Sequence, residues 1–253
     1  MEPLRKPYQG VINIIKFNWH FYAIAVLCLL ITFIIDKIFA GNYRLVTRLI
    51  YLIIAVTSLF SLLISFYVYD LSSLYKFEWL KDESKDAHTI LNIHAGFDET
   101  SHILKAKYAG SNVLVFDFYD PQKHTEISIK RARKAYDAYP GTQQITTGSL
   151  PLQAGYADKV FLIFAAHEIR NQAERIDFFK EIYRVLKTDG DLIVVEHLRD
   201  RFNFLAYNVG FFHFMPATAW YKTFQNSGFK IIGKNKITPF VTVFKLQKNG
   251  TAS

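Results

Sequence analysis

The feature that most constrains this chain is an uncharged apolar run of about 21 residues. It extends from Leu49 to Tyr69 and reads LIYLIIAVTSLFSLLISFYVY. A helix rises about 1.5 Å per residue, so this run spans roughly 30 Å, the thickness of a bilayer's hydrocarbon core. A second run, Phe21 to Ile35, reaches about 19 residues if Phe17 to His20 lie in the headgroup region. The sequence therefore predicts a transmembrane hairpin with helices at about residues 17–39 and 49–70.

A signal peptide is the alternative explanation for the first run. This run is short and follows Arg5, Lys6 and Lys16, as the apolar region of a signal peptide does. No small-residue cleavage site of the Ala-x-Ala kind follows it, which favours a membrane span. Basic residues flank the runs evenly, so the positive-inside rule does not decide the orientation.

Composition supports a division of the chain into an anchor and a folded domain. The chain of 253 residues is 51% apolar and 16% aromatic, with a formal net charge of +8. Its apolar content excludes a disordered chain, and the solitary Cys28 excludes a disulfide scaffold. We expect residues 1–74 to form the membrane anchor, 75–87 a connector and 88–248 the domain.

After the connector, short apolar runs alternate with polar segments of helical period, which is typical of βαβ units. Runs rich in Val, Ile, Leu and Phe suit parallel strands that are buried on both faces. The predicted strands are Thr89–Ile93, Asn112–Phe118, Lys159–Phe164, Asp191–Glu196, Phe229–Ile232 and Val241–Leu246. The predicted helices between them are Thr125–Tyr136, Ala173–Leu186 and Ala217–Ser227. Open sheets of this class bind ligands beyond the carboxyl ends of their strands, so the residues after each run are the site candidates.

The order of these segments resembles that of the class I S-adenosylmethionine-dependent methyltransferases over about residues 88–246. The most specific match is Asp158–Glu196, which is similar to the family's fourth strand, helix, Leu-Lys-Pro-Gly-Gly turn and fifth strand, with Leu186–Gly190 in place of the turn. The segment from Asn203 to Ile232 is similar to its late helix, Gly-Phe turn and final antiparallel strands. The resemblance implies an α/β fold: a doubly wound, mostly parallel seven-stranded sheet of the Rossmann-like methyltransferase type, here preceded by two transmembrane helices. It also implies S-adenosylmethionine as the cofactor.

The loop after the first strand departs from the family's pattern of an acidic residue followed by Gly-x-Gly-x-Gly. Asn92, His94, Gly96 and Asp98 occupy those four positions, so one glycine remains. Glycine allows backbone N–H groups to approach a ligand closely, and Asn92 keeps a neutral acceptor for the cofactor's ammonium group. The cofactor-binding residues implied by the resemblance are Asn92, His94, Gly96, Asp117, Ser149, Leu150 and Ala165.

The resemblance also implies a carboxylate on the ribose, because two vicinal hydroxyls can donate to one carboxylate. Asp117 stands at the matching place, with Asp120 as its rival. Ser149 and the backbone N–H of Leu150 are the candidates for the adenine, since the family's Asp is missing there. The helix that follows Asp117 is strongly basic; this surface is either solvated or attracted to an anionic membrane. Its basic residues, with the histidine that precedes it, are His124, Lys130, Arg131, Arg133 and Lys134.

Polar residues after the fourth and fifth implied strands are the candidates for chemistry and substrate binding. A phenol or carbon acid must lose a proton as it attacks a methyl group, and His167 is the first candidate for the base, with Glu168 beside it. The candidate substrate-binding residues are His197, Arg199, Tyr207 and His213, and for each a structural role is equally open. The aromatic group Phe204, Tyr207, Phe211, Phe212, Phe214 and Trp220 forms either a lipophilic pocket wall or core.

The sequence predicts no metal site and no nucleic-acid partner. It has no Cys pair and no His-x-x-x-His motif, and His94, His167 and His197 follow separate strands. A domain held at a membrane is a poor partner for nucleic acid despite the net charge. Because the cofactor is cytosolic, we expect an integral protein of a bacterial inner membrane, with the C-terminal domain and the N-terminus in the cytoplasm. The oligomeric state stays open.

Together these observations predict a membrane-anchored methyltransferase that acts on a lipophilic acceptor: a quinone, a phenolic pigment precursor or a lipid headgroup. A second interpretation is that the altered loop no longer supports transfer and the domain is a binding or scaffolding module at the membrane. A third is that the fold performs chemistry other than methyl transfer.

Overall fold

The computed structural model describes residues 5–38, 43–80 and 88–250. The end of the predicted connector, residues 81–87, lies outside the described residues. The helices and strands, in chain order, are α1 (Gln9–Ile38), α2 (Arg44–Phe66), β1 (Thr89–His94), α3 (Ser101–Lys107), β2 (Asn112–Asp117), α4 (Ile127–Ala135), β3 (Gln143–Gln144), β4 (Ala157–Ile163), α5 (Gln172–Val185), β5 (Leu186–His197), α6 (Arg201–Tyr207), α7 (Ala217–Asn226), β6 (Phe229–Thr238) and β7 (Val241–Lys248). Four short helical turns complete the list: a π turn at Tyr67–Leu71 and 3-10 turns at Leu74–Lys76, Ala166–Glu168 and Asn208–His213.

The strands form one seven-stranded sheet in the order β3-β2-β1-β4-β5-β7-β6. The first five in this order pair in parallel, and β7 runs antiparallel to both β5 and β6. This confirms the predicted mostly parallel sheet of the Rossmann-like methyltransferase fold. The chain crosses from one side of β1 to the other between β3 and β4, so a topological switch point lies at the carboxyl ends of β1 and β4.

The sheet is covered on both faces, as its near-continuous apolar strands require. One core cluster contains Phe178 and Phe179 of α5 together with Trp220 and Phe224 of α7. The other contains Leu104 of α3 and Ala206 of α6, and residues that directly follow α2 also belong to it. These are Val68, Leu74 and Phe77. The segment expected to be the end of the anchor and a connector is therefore part of the domain's core.

The sequence did not predict β3 and α3, because neither has a strong local pattern. Strand β3 consists of Gln143 and Gln144, both exposed and polar, so it has no apolar run. Helix α3 has seven residues, which is too short for a periodic pattern to stand out. Strand β5 begins at Leu186, so the predicted turn from Leu186 to Gly190 is part of the strand, and its pairing with β4 shifts register between Ala157 and Lys159.

Helix α1 consists of two parts that meet at Asn18, where the backbone leaves helical geometry (φ −116°, ψ 21°). Before the kink, the buried residues are Gly10, Asn13 and Phe17, whose spacing of three and four puts them on one face that packs against the domain. After the kink, apolar side chains are exposed around the helix. The predicted span at residues 17–39 corresponds to this second part, whereas the helix itself begins at Gln9.

Helices α1 and α2 pack against each other and are long and apolar enough to cross a membrane. Only 6% of the most apolar window of each is buried within the protein. At the ends of the two helices near the interhelical loop, Thr47 donates to the carboxylate of Asp36 at 3.0 Å. The hairpin prediction is thus supported by length and composition.

Asp70 fixes the start of α1 on the end of α2. Its carboxylate oxygens accept the backbone N–H groups of Gly10 and Val11, each at 2.8 Å, and so satisfy donors that the first turn of a helix leaves unpaired. A Cβ on Gly10 would lie 2.3 Å from the Cβ of Tyr69. The start of α1 and the turn after α2 are therefore so close that only glycine fits at position 10.

We expect Asp70→Ala to lower the free energy of unfolding by about 1–2 kcal/mol, because two N–H groups lose their acceptor. Thermal or denaturant unfolding of the detergent-solubilised protein measures this change. The control is Asp177→Ala, whose exposed pair with Lys180 contributes less than about 0.5 kcal/mol. If both variants unfold alike, the Asp70 contact does not stabilise the protein.

Candidate active site

The carboxyl ends of β1, β2, β4 and β5 meet at one edge of the sheet, and the loops that follow them carry most of the predicted site residues. Strand β1 lies between β2 and β4 and pairs with both. His94, at the end of β1, is aligned with Asp117 at the end of β2. This edge is where an open parallel sheet binds its ligand.

The loop after β1 turns at Gly96, which has φ +91°, a conformation that glycine adopts without strain. The backbone N–H of Gly96 donates to Nδ1 of His94 at 3.0 Å. Burial lowers the pKa of His94, so the ring is neutral and carries its proton on Nε2. His94, which stands at a glycine position of the family pattern, therefore stabilises the turn.

Polar side chains hold this loop from two positions of the family pattern, the acidic position and the third glycine. The amide nitrogen of Asn92 donates to Oγ1 of Thr100 at 3.0 Å and to Oγ of Ser101 at 2.8 Å. Asp98 Oδ1 accepts the backbone N–H groups of the same two residues, at 2.8 and 3.0 Å. The Asn92 amide nitrogen is thus engaged within the loop.

Asp117 is buried at the end of β2, with 3% of its surface exposed. Its Oδ1 accepts the backbone N–H of Tyr119 at 2.8 Å, and its Oδ2 pairs with Nη1 of Arg133. The guanidinium of Arg133 stacks on the Tyr119 ring at 4.4 Å. A Cβ on Gly96 would lie 2.1 Å from the same Nη1. Arg133 therefore covers both the glycine of the loop and the carboxylate.

These residues fit S-adenosylmethionine. Two buried polar atoms of the loop, Nε2 of His94 and Oδ2 of Asp98, have no hydrogen-bond partner among the described residues, and unpaired buried polar groups are uncommon unless a ligand satisfies them. The carboxylate of Asp117 has the chemistry to accept two vicinal hydroxyls, as its predicted role at the ribose requires. The obstacle above Gly96 is the flexible side chain of Arg133, which is 34% exposed, rather than backbone.

The remaining predicted cofactor residues lie on neighbouring loops. Ser149 is exposed, whereas Leu150 is buried and its backbone N–H already donates to Oε2 of Glu181 at 3.1 Å. Ala165 is buried directly after Phe164, which adopts φ +49°. A bulky residue in this left-handed region is an outlier of the kind that clusters at functional sites.

The start of the chain closes over the cofactor loop through Glu99. One oxygen of its carboxylate, Oε1, accepts from Arg5 at 2.9 Å, Gln9 at 3.0 Å and Asn13 at 3.2 Å. The other oxygen accepts from the hydroxyl of Tyr75 at 2.8 Å. The cofactor loop and both ends of the helical hairpin therefore share one carboxylate.

The basic helix α4 also docks against α1. Arg131 donates to the backbone carbonyl of Phe17 at 2.7 Å and stacks on the Trp19 ring at 5.1 Å. Phe17 in turn contacts the Phe97 ring of the cofactor loop edge-on at 5.3 Å. Together with Arg133, this engages part of the basic surface within the protein, while Lys130 and Lys134 stay exposed.

His167 lies in the helical turn after β4, between two carboxylates. Its Nδ1 is 2.7 Å from Oε2 of Glu196 and its Nε2 is 3.4 Å from Oε1 of Glu168. Burial opposes a charge on the ring, but the attraction of Glu196 and hydrogen bonds to both carboxylates outweigh it and raise the pKa of His167 to about 10. The ring is an imidazolium at neutral pH, so it does not act as a free base.

His213 joins this group from the turn after α6. Its Nε2 is 3.7 Å from Oε1 of Glu168, and its Nδ1 is 3.2 Å from Oε1 of Glu126. Arg170 contacts Glu126, the His213 ring and the His213 carbonyl. The structure thus brings together three predicted site residues, His167, Glu168 and His213. Glu196 ends a strand that the sequence predicts, but it was not predicted as a site residue. Glu126 was missed because no local pattern indicates it.

The other predicted substrate residues are engaged in packing. His197 stacks between the rings of Phe164 and Phe214, each at 4.9 Å. Its Nδ1 is 2.9 Å from the carbonyl of Phe240 and its Nε2 is 2.8 Å from the hydroxyl of Tyr69. Tyr207 contacts the same ring edge-on. Arg199 donates to the backbone carbonyls of Phe212 and Phe214 and so fixes the turn that carries His213.

The aromatic group predicted as either pocket wall or core is divided between two environments. Trp220 is fully buried against Phe179 and Phe224. Phe204 and Phe212 are exposed, at 50% and 64%. The core interpretation therefore holds for the first of these residues but not for the other two.

Comparison with known proteins bears on this site. Residues 91–194 match the family model of the methyltransferase domain. The fold is similar to the PH0226 protein from Pyrococcus horikoshii OT3, with a TM-score of 0.50 and 16% identity over 67% of this chain and 86% of that one. It is also similar to N,N-8-amino-8-demethyl-D-riboflavin dimethyltransferase (RosA) from Streptomyces davawensis, with a TM-score of 0.52 and 9% identity over 85% of this chain and 62% of that one. No curated protein matches the chain.

The segment that matches the family runs from β1 to β5 and carries Gly96, Asp117 and His167. At these identities the solved structures show the fold alone. Together, the domain match and the fold support a methyltransferase that uses S-adenosylmethionine. The predictions of enzyme class and cofactor are thus confirmed.

We expect Asp117→Ala to weaken binding of S-adenosylmethionine by about 1–3 kcal/mol, since the ribose loses a charged acceptor. Isothermal titration calorimetry in detergent measures this change. Asp120→Ala is the matched control, because that carboxylate accepts the backbone N–H of Gln122 in an exposed turn. Equal affinity in the Asp117 variant and the native protein would contradict the ribose role.

We expect the stability of the protein to fall between about pH 6.5 and 4 in part because of His197. Burial lowers its pKa to about 4, whereas the unfolded chain binds a proton near pH 6.5. The unfolded state therefore binds more protons in this window, and the free energy of unfolding rises with pH across it. Unfolding midpoints at pH 4.5 and 6.5 should differ less in His197→Gln than in the native protein. The exposed His102→Gln is the control, and equal pH dependence in all three proteins would refute the assignment.

Proposed function

We propose that this protein is a membrane-anchored methyltransferase that methylates a lipophilic acceptor drawn from the bilayer. The observation that carries the proposal is the contact between the apolar hairpin and the cofactor loop through Glu99. This contact sets the cofactor site beside the membrane helices. A quinone, a phenolic pigment precursor or a lipid headgroup would partition to the same place.

Exposed apolar surface on the two helices supports the membrane assignment. Their apolar side chains are uncovered by the rest of the protein, and water does not accommodate so large an apolar surface on a soluble protein. Because S-adenosylmethionine is made in the cytosol, the domain lies on the cytoplasmic side of the membrane, in a bacterium the inner membrane.

A second apolar surface adjoins the hairpin. Helix α6 packs against α2, and Leu205, Val209 and Phe212 on α6 and the following turn are 62%, 69% and 64% exposed. An apolar patch next to a membrane span suits insertion into the headgroup region. The domain would then rest on the bilayer with the turn that carries His213 near the interface.

S-adenosylmethionine supplies an electrophilic methyl group, so the protein needs to bind the acceptor and take up any proton that it loses. The cofactor-binding residues of the proposal are Asn92, His94, Gly96, Asp117, Ser149, Leu150 and Ala165. His167 and Glu168 act on the acceptor, and His197, Arg199, Tyr207 and His213 shape its pocket. Because His167 is already protonated, Glu168 is the acceptor for the proton and His167 positions it.

A second candidate function is a binding or scaffolding module at the membrane. The observation that favours it is the position of Arg133, which pairs with Asp117 and lies over Gly96. If this pair did not open, the cofactor could not reach the carboxylate.

The test is methyl transfer in native membranes that contain the protein. With methyl-labelled S-adenosylmethionine, we expect label in the organic extract and none when Asp117→Ala replaces the native chain. Label confined to water-soluble products would refute the lipophilic acceptor. Calorimetry with S-adenosylmethionine and S-adenosylhomocysteine separates the alternatives: no binding supports the scaffold, and binding without transfer supports different chemistry.

A further inference from the structure

The group around Glu168 has the donor arrangement of a metal site. One atom each of His167, Glu168 and His213 lie within 4.8 Å of one another. The Nε2 atoms of the two histidines are 3.4 and 3.7 Å from the same oxygen of Glu168. Ligands held at about 2.0–2.1 Å around a tetrahedral ion are roughly 3.3 Å apart. The two nitrogen–oxygen distances are therefore close to those of a tetrahedral site.

Each histidine is also oriented by a carboxylate on its other nitrogen. Nδ1 of His167 is 2.7 Å from Glu196, and Nδ1 of His213 is 3.2 Å from Glu126. A carboxylate that accepts the second N–H of a histidine is the usual support of a metal ligand, since it fixes the tautomer and leaves Nε2 free. Two such pairs face the same glutamate here.

Burial and charge favour a cation at this place. The side chains of His167 and Glu168 are 11% and 5% exposed, and Oε2 of Glu168 is buried without a hydrogen-bond partner among the described residues. Glu126, Glu168 and Glu196 are acidic, and Arg170 is the basic side chain that contacts the group. When a metal ion replaces the proton on His167, the three carboxylates and Arg170 leave two negative charges. A divalent ion balances them.

We propose that His167, Glu168 and His213 bind a divalent transition-metal ion of the zinc class. Two imidazoles and one carboxylate suit such ions, whereas Mg²⁺ and Ca²⁺ prefer oxygen ligands. Three protein ligands leave a coordination position for water or a substrate. Binding selects the tautomer in which Nδ1 of His213 donates to Glu126. Arg170, whose Nη2 lies against this Nδ1, then gives up that contact and keeps those with Glu126 and the His213 carbonyl.

No local sequence pattern indicates this site, because its ligands come from two segments more than forty residues apart. The prediction of no metal considered spacing along the chain alone. The site uses residues that the proposed function assigns to the acceptor, but its metal binding is measured without cofactor or acceptor.

The test is metal binding by the full chain in detergent after treatment with a chelator. Titration with Zn²⁺ should give one tight site per chain, and Co²⁺ in its place should give the visible absorption of a four- or five-coordinate ion. His213→Ala and Glu168→Gln should lose this site, whereas His102→Ala, which changes an exposed histidine, should keep it. Mg²⁺ should not compete.

Glu126→Gln tests the support of the site without removing a ligand. We expect it to weaken Zn²⁺ binding by about 10–100-fold, and circular dichroism shows whether each variant folds. Absence of a tight site in the native chain would overturn the proposal, and so would unchanged binding in Glu168→Gln or equal binding of Mg²⁺. None of these outcomes depends on methyl transfer, so failure of the site and failure of the proposed function are distinguishable.

Discussion

The carboxylate of Glu99 is the interaction on which the arrangement of this protein depends. It belongs to the cofactor loop, and its donors come from the start of α1 and from the turn after α2. A buried carboxylate that lost these partners would be costly to keep in place. The loop geometry and the position of the hairpin are therefore coupled. A movement of the two helices would reach the turn at Gly96 through one side chain.

In the proposed enzyme, entry of the cofactor exchanges one partner of Asp117 for another. The carboxylate is buried, whereas the Arg133 side chain that pairs with it is 34% exposed and can move away. Two ribose hydroxyls can donate to the carboxylate in place of the guanidinium, so the buried acceptor keeps its hydrogen bonds. The cation–π contact of Arg133 with Tyr119 gives the displaced side chain a place to remain. The covering of Asp117 is compatible with an enzyme for this reason.

The sequence predicted those features that a local pattern encodes. Apolar runs marked β1, β2, β4, β5 and β7, and the edge at which β1 and β2 end brought His94 and Asp117 side by side. The docking of α1 before Asn18 was missed, because Gly10, Asn13 and Phe17 lie next to a longer apolar run that dominates the pattern. Glu126 and His213 are eighty-seven residues apart in the chain, and only the fold makes them neighbours. Contacts of this kind have no signature in spacing.

The carboxylates around His167 make this part of the site negatively charged, although aromatic rings surround it. Three glutamates near apolar rings carry a large cost of desolvation, and the structure offsets it with Arg170 and a proton on His167. A proton and a divalent ion compete for the same place, because both bind Nε2 of the ring or the carboxylate beside it. A group with this much negative charge repels an anionic acceptor unless a cation is present. In the proposed enzyme, the charge at Glu168 would select the acceptors that approach the methyl group, and the apolar patch beside α2 would guide them there.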